Sequence, residues 1–133
     1  MSAEIGMQVT AVIGDNYDIT TSARQHKIKA DEPFNLGGED NAPDPEELFL
    51  SSIASCKLIT MRMVAHRKQW NTSGMSMTLT LHREEKRTLI EQTISFPDHL
   101  TEEQQEKLRA ISHKCPVARM VTGEVVITDG VSE

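Results

Sequence analysis

From Glu46 through Ser73 the chain contains neither glycine nor proline. Asp44 can cap a helix, Pro45 suits the first helical position, and Glu46 and Glu47 put negative charge in the first turn. These signals predict a helix from about 45 to 69, roughly 37 Å long at 1.5 Å per residue. His66, Arg67 and Lys68 suit its C-terminal end. Leu48, Phe49, Ile53, Cys56, Ile59, Met63 and Trp70 recur at spacings dominated by three and four, and Leu50, Leu58 and Met61 widen that face. So long a helix with so wide an apolar face needs cover from more than one side.

The flanking segments read as strands. "MQVTAVIG" (7–14) is rich in β-branched residues, "GDN" is a turn signal, and "YDITTS" (17–22) forms the second arm of a hairpin. "QHKIKAD" (25–31) makes a third strand, and the Pro- and Gly-containing stretch 32–45 is a long loop. After the helix, "MSMTLTLH" (75–82) alternates, with Met75, Met77, Leu79 and Leu81 inward. "REEKR" is a charged turn, and "TLIEQTISF" (88–96) returns as its partner before Pro97. Thr101 and Gln104 fit a capping box opening an amphipathic helix through Cys115, with Leu108, Ile111 and Cys115 on one face. "GEVVITDG" (123–130) is expected as a closing strand. The order predicts an α+β fold, a single domain over residues 1–133, with an antiparallel sheet and one helix that needs wrapping.

At 133 residues with 4% aromatics, the core of a lone subunit would be thin, which favours an oligomer. The formal charge of −6 argues against nucleic acid as a partner. "MSAEIGMQVT" has no basic stretch followed by an apolar one, and no apolar run approaches the roughly 18 residues of a membrane span. The expectation is a cytoplasmic protein without a membrane partner.

The chain has two cysteines, Cys56 inside the long helix and Cys115 just before Pro116. In a reducing compartment they read as free core residues, a working redox pair, or metal ligands. A helix break after Cys115 would offer backbone N–H groups that lower a thiol's pKa. Lys57 neighbours Cys56 but points roughly 100° away around the helix. Cys56, His66, His113 and Cys115 could be combined as metal ligands, yet no CxxC or HxxxH spacing supports this, and no metal is expected.

"ADEPFNLGGEDNAPDPEELFLSSIASC", followed about 60 residues later by "KCPV", resembles the OsmC/Ohr family, and the resemblance extends through "TMRMVAHRKQW" and the strand after it. It implies an intertwined homodimer in which antiparallel sheets wrap long central helices. It also implies a thiol peroxidase for organic hydroperoxides that needs no cofactor. Cys56 would be the peroxidatic thiol, becoming sulfenic acid, and Cys115 would resolve it as a disulfide. An external dithiol of the lipoyl type would restore both. Two other readings are a non-catalytic small-molecule-binding dimer and a redox sensor.

Glu46 matches the family's active-site glutamate, although a charge in the first helical turn is also favoured without any function. Ten helical residues separate it from Cys56 by about 15 Å, so it would serve the thiol of the partner subunit. Peroxidase members carry an arginine in the first hairpin, where this chain has "GDNYD". Arg24, on a neighbouring strand, is the nearest candidate for binding substrate; Arg119 and His26 are further candidates. Met61, Met63, Met75 and Met77 would line either the core or an apolar substrate pocket.

Overall fold

A computed structural model describes residues 6–130. Two compact units divide the chain after Phe49. The first holds an antiparallel three-stranded sheet of β1 (Thr10–Ile13), β2 (Ile19–Ala23) and β3 (His26–Ala30), in the order β1-β2-β3. Around the "GDN" turn, the Gly14 N–H donates to Asp18 O at 2.8 Å and Asn16 takes a left-handed φ of 51°. β2 and β3 meet at a two-residue turn, Ala23 facing His26.

The loop before the long helix is built rather than loose. The Asp31 carboxylate accepts the N–H groups of Glu32 (2.7 Å) and Asn41 (3.2 Å), and the Asp31 N–H donates to Pro43 O. A single 3-10 turn, Phe34–Leu36, leads into Gly37 at φ 91°. At Gly38 a Cβ would lie 1.9 Å from Glu32 O, so only glycine fits there.

The long helix, α1, runs Pro45–Arg67. Asp44 and Glu47 close a reciprocal capping box at 2.8 and 2.9 Å, as the expected N-terminus requires. Gln69, at φ 59°, turns the chain out of the helix, and the Trp70 N–H donates back to Ala65 O.

In the second unit, β4 (Ser76–Arg83) and β5 (Thr88–Ser95) pair antiparallel with Met77 opposite Ile94. α2 (Glu102–Ser112) opens on the capping box of Thr101 and Gln104, and α3 (Pro116–Thr122) follows. Met61 and Ala65 of α1 are buried with Leu100 and Leu108; Trp70, Met77, Ile94 and Phe96 pack against them.

Four expectations are corrected. The α1 residues that this chain buries are Ile53, Lys57, Met61 and Ala65, whereas Ile59 and Met63 of the predicted face are 55% and 60% exposed. α2 stops at Ser112, short of Cys115. Residues 123–130 form no strand, and Val125, Val126 and Ile127 are exposed. A β-rich segment without a partner strand cannot satisfy a ladder of hydrogen bonds, whatever its composition. Finally, by length and composition α1 does qualify as a membrane span. Part of that apolarity is used in packing inside the second unit, through Met61 and Ala65, and two of its cations are tied down: buried Lys57 to Ser112, and exposed Arg62 to Thr72 through Oγ1 (2.6 Å) and O (3.2 Å).

Candidate functional site

Cys56 sits one helical turn below Thr60, whose hydroxyl donates to the Cys56 carbonyl at 2.8 Å. Its side chain is half-buried and its thiol is free. Cys115, also free, is fully buried at the start of α3, where its Sγ accepts the Ala118 N–H at 3.3 Å. The two thiols are neighbours, near enough for Cys56 to act on the titration of Cys115. Residues separated by most of the second unit in sequence are thus brought together by the packing of α1 against the α2–α3 corner.

Lys57 is the residue that sequence reasoning set aside. It is 6% exposed and its Nζ donates to Ser112 O at 2.9 Å. Helical position explains the burial: Lys57 lies in line with Ile53, Met61 and Ala65 at steps of four. Its aliphatic stem packs in that row while the ammonium reaches the last residue of α2. The signal was present in the sequence as a lysine interrupting an i, i+4 apolar row. Ser112 is itself pinned, donating its hydroxyl to Arg109 O at 2.7 Å and accepting from Gln92 Nε2 of β5 at 3.1 Å.

The electrostatics follow from this burial. Desolvation pushes the Lys57 ammonium below its ordinary pKa, and the neighbouring charges of Cys115 and Cys56 act against that shift. Burial pushes the Cys115 thiol above its ordinary value; the Ala118 N–H opposes this, the Cys56 thiol adds to it, and Lys57 opposes it. The helix break expected to lower this thiol does supply its N–H donor, but burial outweighs it. A cavity of about 240 Å³ opens beside the group, with apolar walls from Ile53, Leu79, Ile90 and Val121 and with Lys57 and His113 as its titratable lining. A larger cavity of about 350 Å³ lies in the first unit, between Tyr17, Ile19 and Leu36; neither cavity has a cysteine in its lining.

The other candidates are placed as follows. Glu46 lies exposed in the first turn of α1, in the first unit. Arg24 is not on a strand: it occupies the β2–β3 turn at φ 54° and is exposed. A two-residue hairpin turn needs positive φ, and position 24 supplies it. Arg119 is exposed on α3, and His26 is exposed at the start of β3. Met61 is core, Met75 and Met77 pack against that core, and Met63 is exposed. Among the described residues no three His, Cys, Asp or Glu side chains gather to hold a metal ion.

Comparison with known proteins adds the following. The family model described as OsmC-like protein matches residues 38–128. A structure from Legionella pneumophila, of an organic hydroperoxide resistance protein OsmC, is 27% identical over 92% of this chain and 93% of its own, with a TM-score of 0.64. An OsmC-like protein from Mycoplasma pneumoniae, 20% identical, covers 91% of this chain and 90% of its own at a TM-score of 0.70. A Psychrobacter arcticus structure, named for osmotic stress induction and a detoxification response, reaches 0.78 at 19% identity over 90% of each chain. No curated protein matches the chain.

Proposed function

This chain belongs to the OsmC-like protein family, and from that premise we propose that it is a thiol peroxidase reducing organic hydroperoxides. The carrying observation is the thiol pair: a half-buried, free Cys56 with a fully buried, free Cys115 as its neighbour. That asymmetry supports a division of roles. The accessible thiol meets the peroxide and the sheltered one waits for the product. Cys56 as thiolate attacks the terminal peroxide oxygen, the O–O bond breaks, and the alkoxide leaves as alcohol once protonated. Cys56 sulfenic acid then condenses with Cys115 to a disulfide and water, and an external dithiol of the lipoyl type reduces the disulfide by thiol exchange. The largely apolar cavity lined by Lys57, the residue after Cys56, and by Ala118, whose N–H donates to Cys115 Sγ, suits the organic portion of a hydroperoxide.

The proposal includes a homodimer in the cytoplasm, with Glu46 serving the Cys56 of the partner subunit. Arg24, on its exposed turn, is the remaining cationic candidate for contacting substrate. Neither nucleic acid nor metal takes part.

The test is a thiol titration of the reduced protein before and after one equivalent of cumene hydroperoxide, repeated with Cys115→Ser. The expected result is loss of both thiols in the wild type and a Cys56 sulfenic acid in the variant. Two thiols that survive the peroxide sink the proposal and leave a binding scaffold. A two-chain structure with Glu46 far from both Cys56 thiols removes the role given to that glutamate.

A further inference from the structure

We propose that Lys57 takes the proton of the Cys115 thiol and holds the resulting thiolate, so that the buried cysteine can attack the oxidised Cys56. The proposal rests on the peroxidase reading and deepens it at the resolving step. Its basis is the cluster itself: a lysine with almost no exposure, next in the chain to Cys56, whose amine donates at 2.9 Å to the Ser112 carbonyl three residues before the fully buried Cys115. A buried thiol without a proton acceptor is a poor nucleophile, because the thiolate, and not the thiol, reacts. Moving its proton to a neighbouring amine makes an ion pair while leaving the net charge of the pocket unchanged, which avoids the cost of an isolated buried charge. Burial works against the ammonium, and the thiols favour it once the proton moves.

The step balances within the cluster. The Cys115 S–H bond breaks and its proton goes to Lys57 Nζ. The thiolate electron pair attacks the sulfenyl sulfur of Cys56, the S–S bond forms and the S–O bond breaks. The departing hydroxide takes the proton from Lys57 and leaves as water. Cys115 sulfur is oxidised, Cys56 sulfur is reduced, and Lys57 returns to the amine.

Competing groups are few. β4 and β5 line the cavity with Leu79, Ile90 and Gln92, none of which titrates. His113, at the C-terminal cap of α2, is the alternative proton acceptor. In this chain, whose first hairpin lacks arginine, Lys57 is the buried basic side chain among the described residues.

The experiment is a pH titration of thiolate absorbance in a Cys56→Ser background, where Cys115 is the single thiol. Adding Lys57→Met is expected to raise the Cys115 midpoint by about one unit or more, tenfold less thiolate at a given pH. Lys57→Arg, a cation that pairs with a thiolate but cannot take a proton, is expected to keep the thiolate without restoring the rate of disulfide closure, and His113→Gln to leave the midpoint as it was. With both cysteines present, Lys57→Met should prolong the Cys56 sulfenic acid, trapped by dimedone, at least tenfold after one equivalent of cumene hydroperoxide. An unmoved midpoint in Lys57→Met, a midpoint that follows His113 instead, or disulfide closure at the wild-type rate overturns the proposal. If Lys57→Met does not fold, Lys57→Gln keeps a donor toward Ser112 without a charge and takes its place. The titration needs no peroxide, so it decides the Lys57 pairing even where Cys56 proves unreactive and the peroxidase reading falls.

Discussion

The carboxylate of Asp31 is buried at the end of β3 and is held by backbone donors. The Glu32 N–H is the largest influence drawing its pKa below the ordinary 3.8; burial works against it, and the Asn41 N–H assists. A folded-state pKa lower than the unfolded one gives stability that is present above about pH 4 and lost as pH falls through the folded value. Urea midpoints measured against pH should therefore drop on the acid side of 3.8, and Asp31→Asn should flatten that drop while lowering the plateau above it. At the neighbouring loop, Gly37→Ala should cost roughly 1–2 kcal/mol for its left-handed backbone. Gly38→Ala should cost more, because Glu32 backbone atoms occupy the space its methyl group needs. The glycine pair and its loop were legible in the sequence. The partners of buried Asp31 and Lys57 were not, because each side chain is satisfied by backbone groups that only the folded chain brings near: Asn41 for one, Ser112 for the other.

At the scale of elements, local signals carried far. Asp44 with Glu47, and Thr101 with Gln104, close the two capping boxes that open α1 and α2. Thr101→Ala should destabilise by about 1 kcal/mol, read as a lowered urea midpoint. The alternation of β4 was legible because half-burial of a hairpin writes a period of two into the chain, and Met77, Leu79 and Leu81 are the half-buried positions. What failed was assigning which side of α1 this chain covers. Apolar residues surround most of that helix, so periodicity could not choose between the row of Met61 and the row of Met63. The two rows make opposite predictions for folding. Met61→Ala removes a fully buried side chain from the core and should cost about 2–5 kcal/mol in equilibrium unfolding. In the chain taken alone, Met63→Ala removes contacts with solvent and should cost little of that.

For the whole molecule, the surplus apolar surface is the argument for a second copy. Ile59 and Met63 on α1, Val12, Ile13 and Ile28 on the first sheet, and Val125, Val126 and Ile127 after α3 are all exposed in a chain of only 133 residues. The β4–β5 sheet has two strands, fewer than independent stability in water usually requires. Both of its edges also lack a further strand among the described residues. The sequence at 123–130 is fit for a strand, and a strand from elsewhere would complete its hydrogen bonds. The proposed homodimer would answer each of these at once: helix faces would cover one another, and sheet edges would find partners in the other chain. The wild type should then sediment at twice 14.9 kDa. Met63→Glu, which puts a carboxylate into the covered helix row, should shift sedimentation toward the monomer, whereas Lys107→Glu, on the exposed side of α2, should not. Val126→Pro, which removes a ladder donor, should weaken the dimer in the same assay if this segment adds to a sheet edge. A wild type that sediments as a monomer at micromolar concentration would remove the dimer, and with it the route by which Glu46, about 15 Å along the same helix, reaches a thiol.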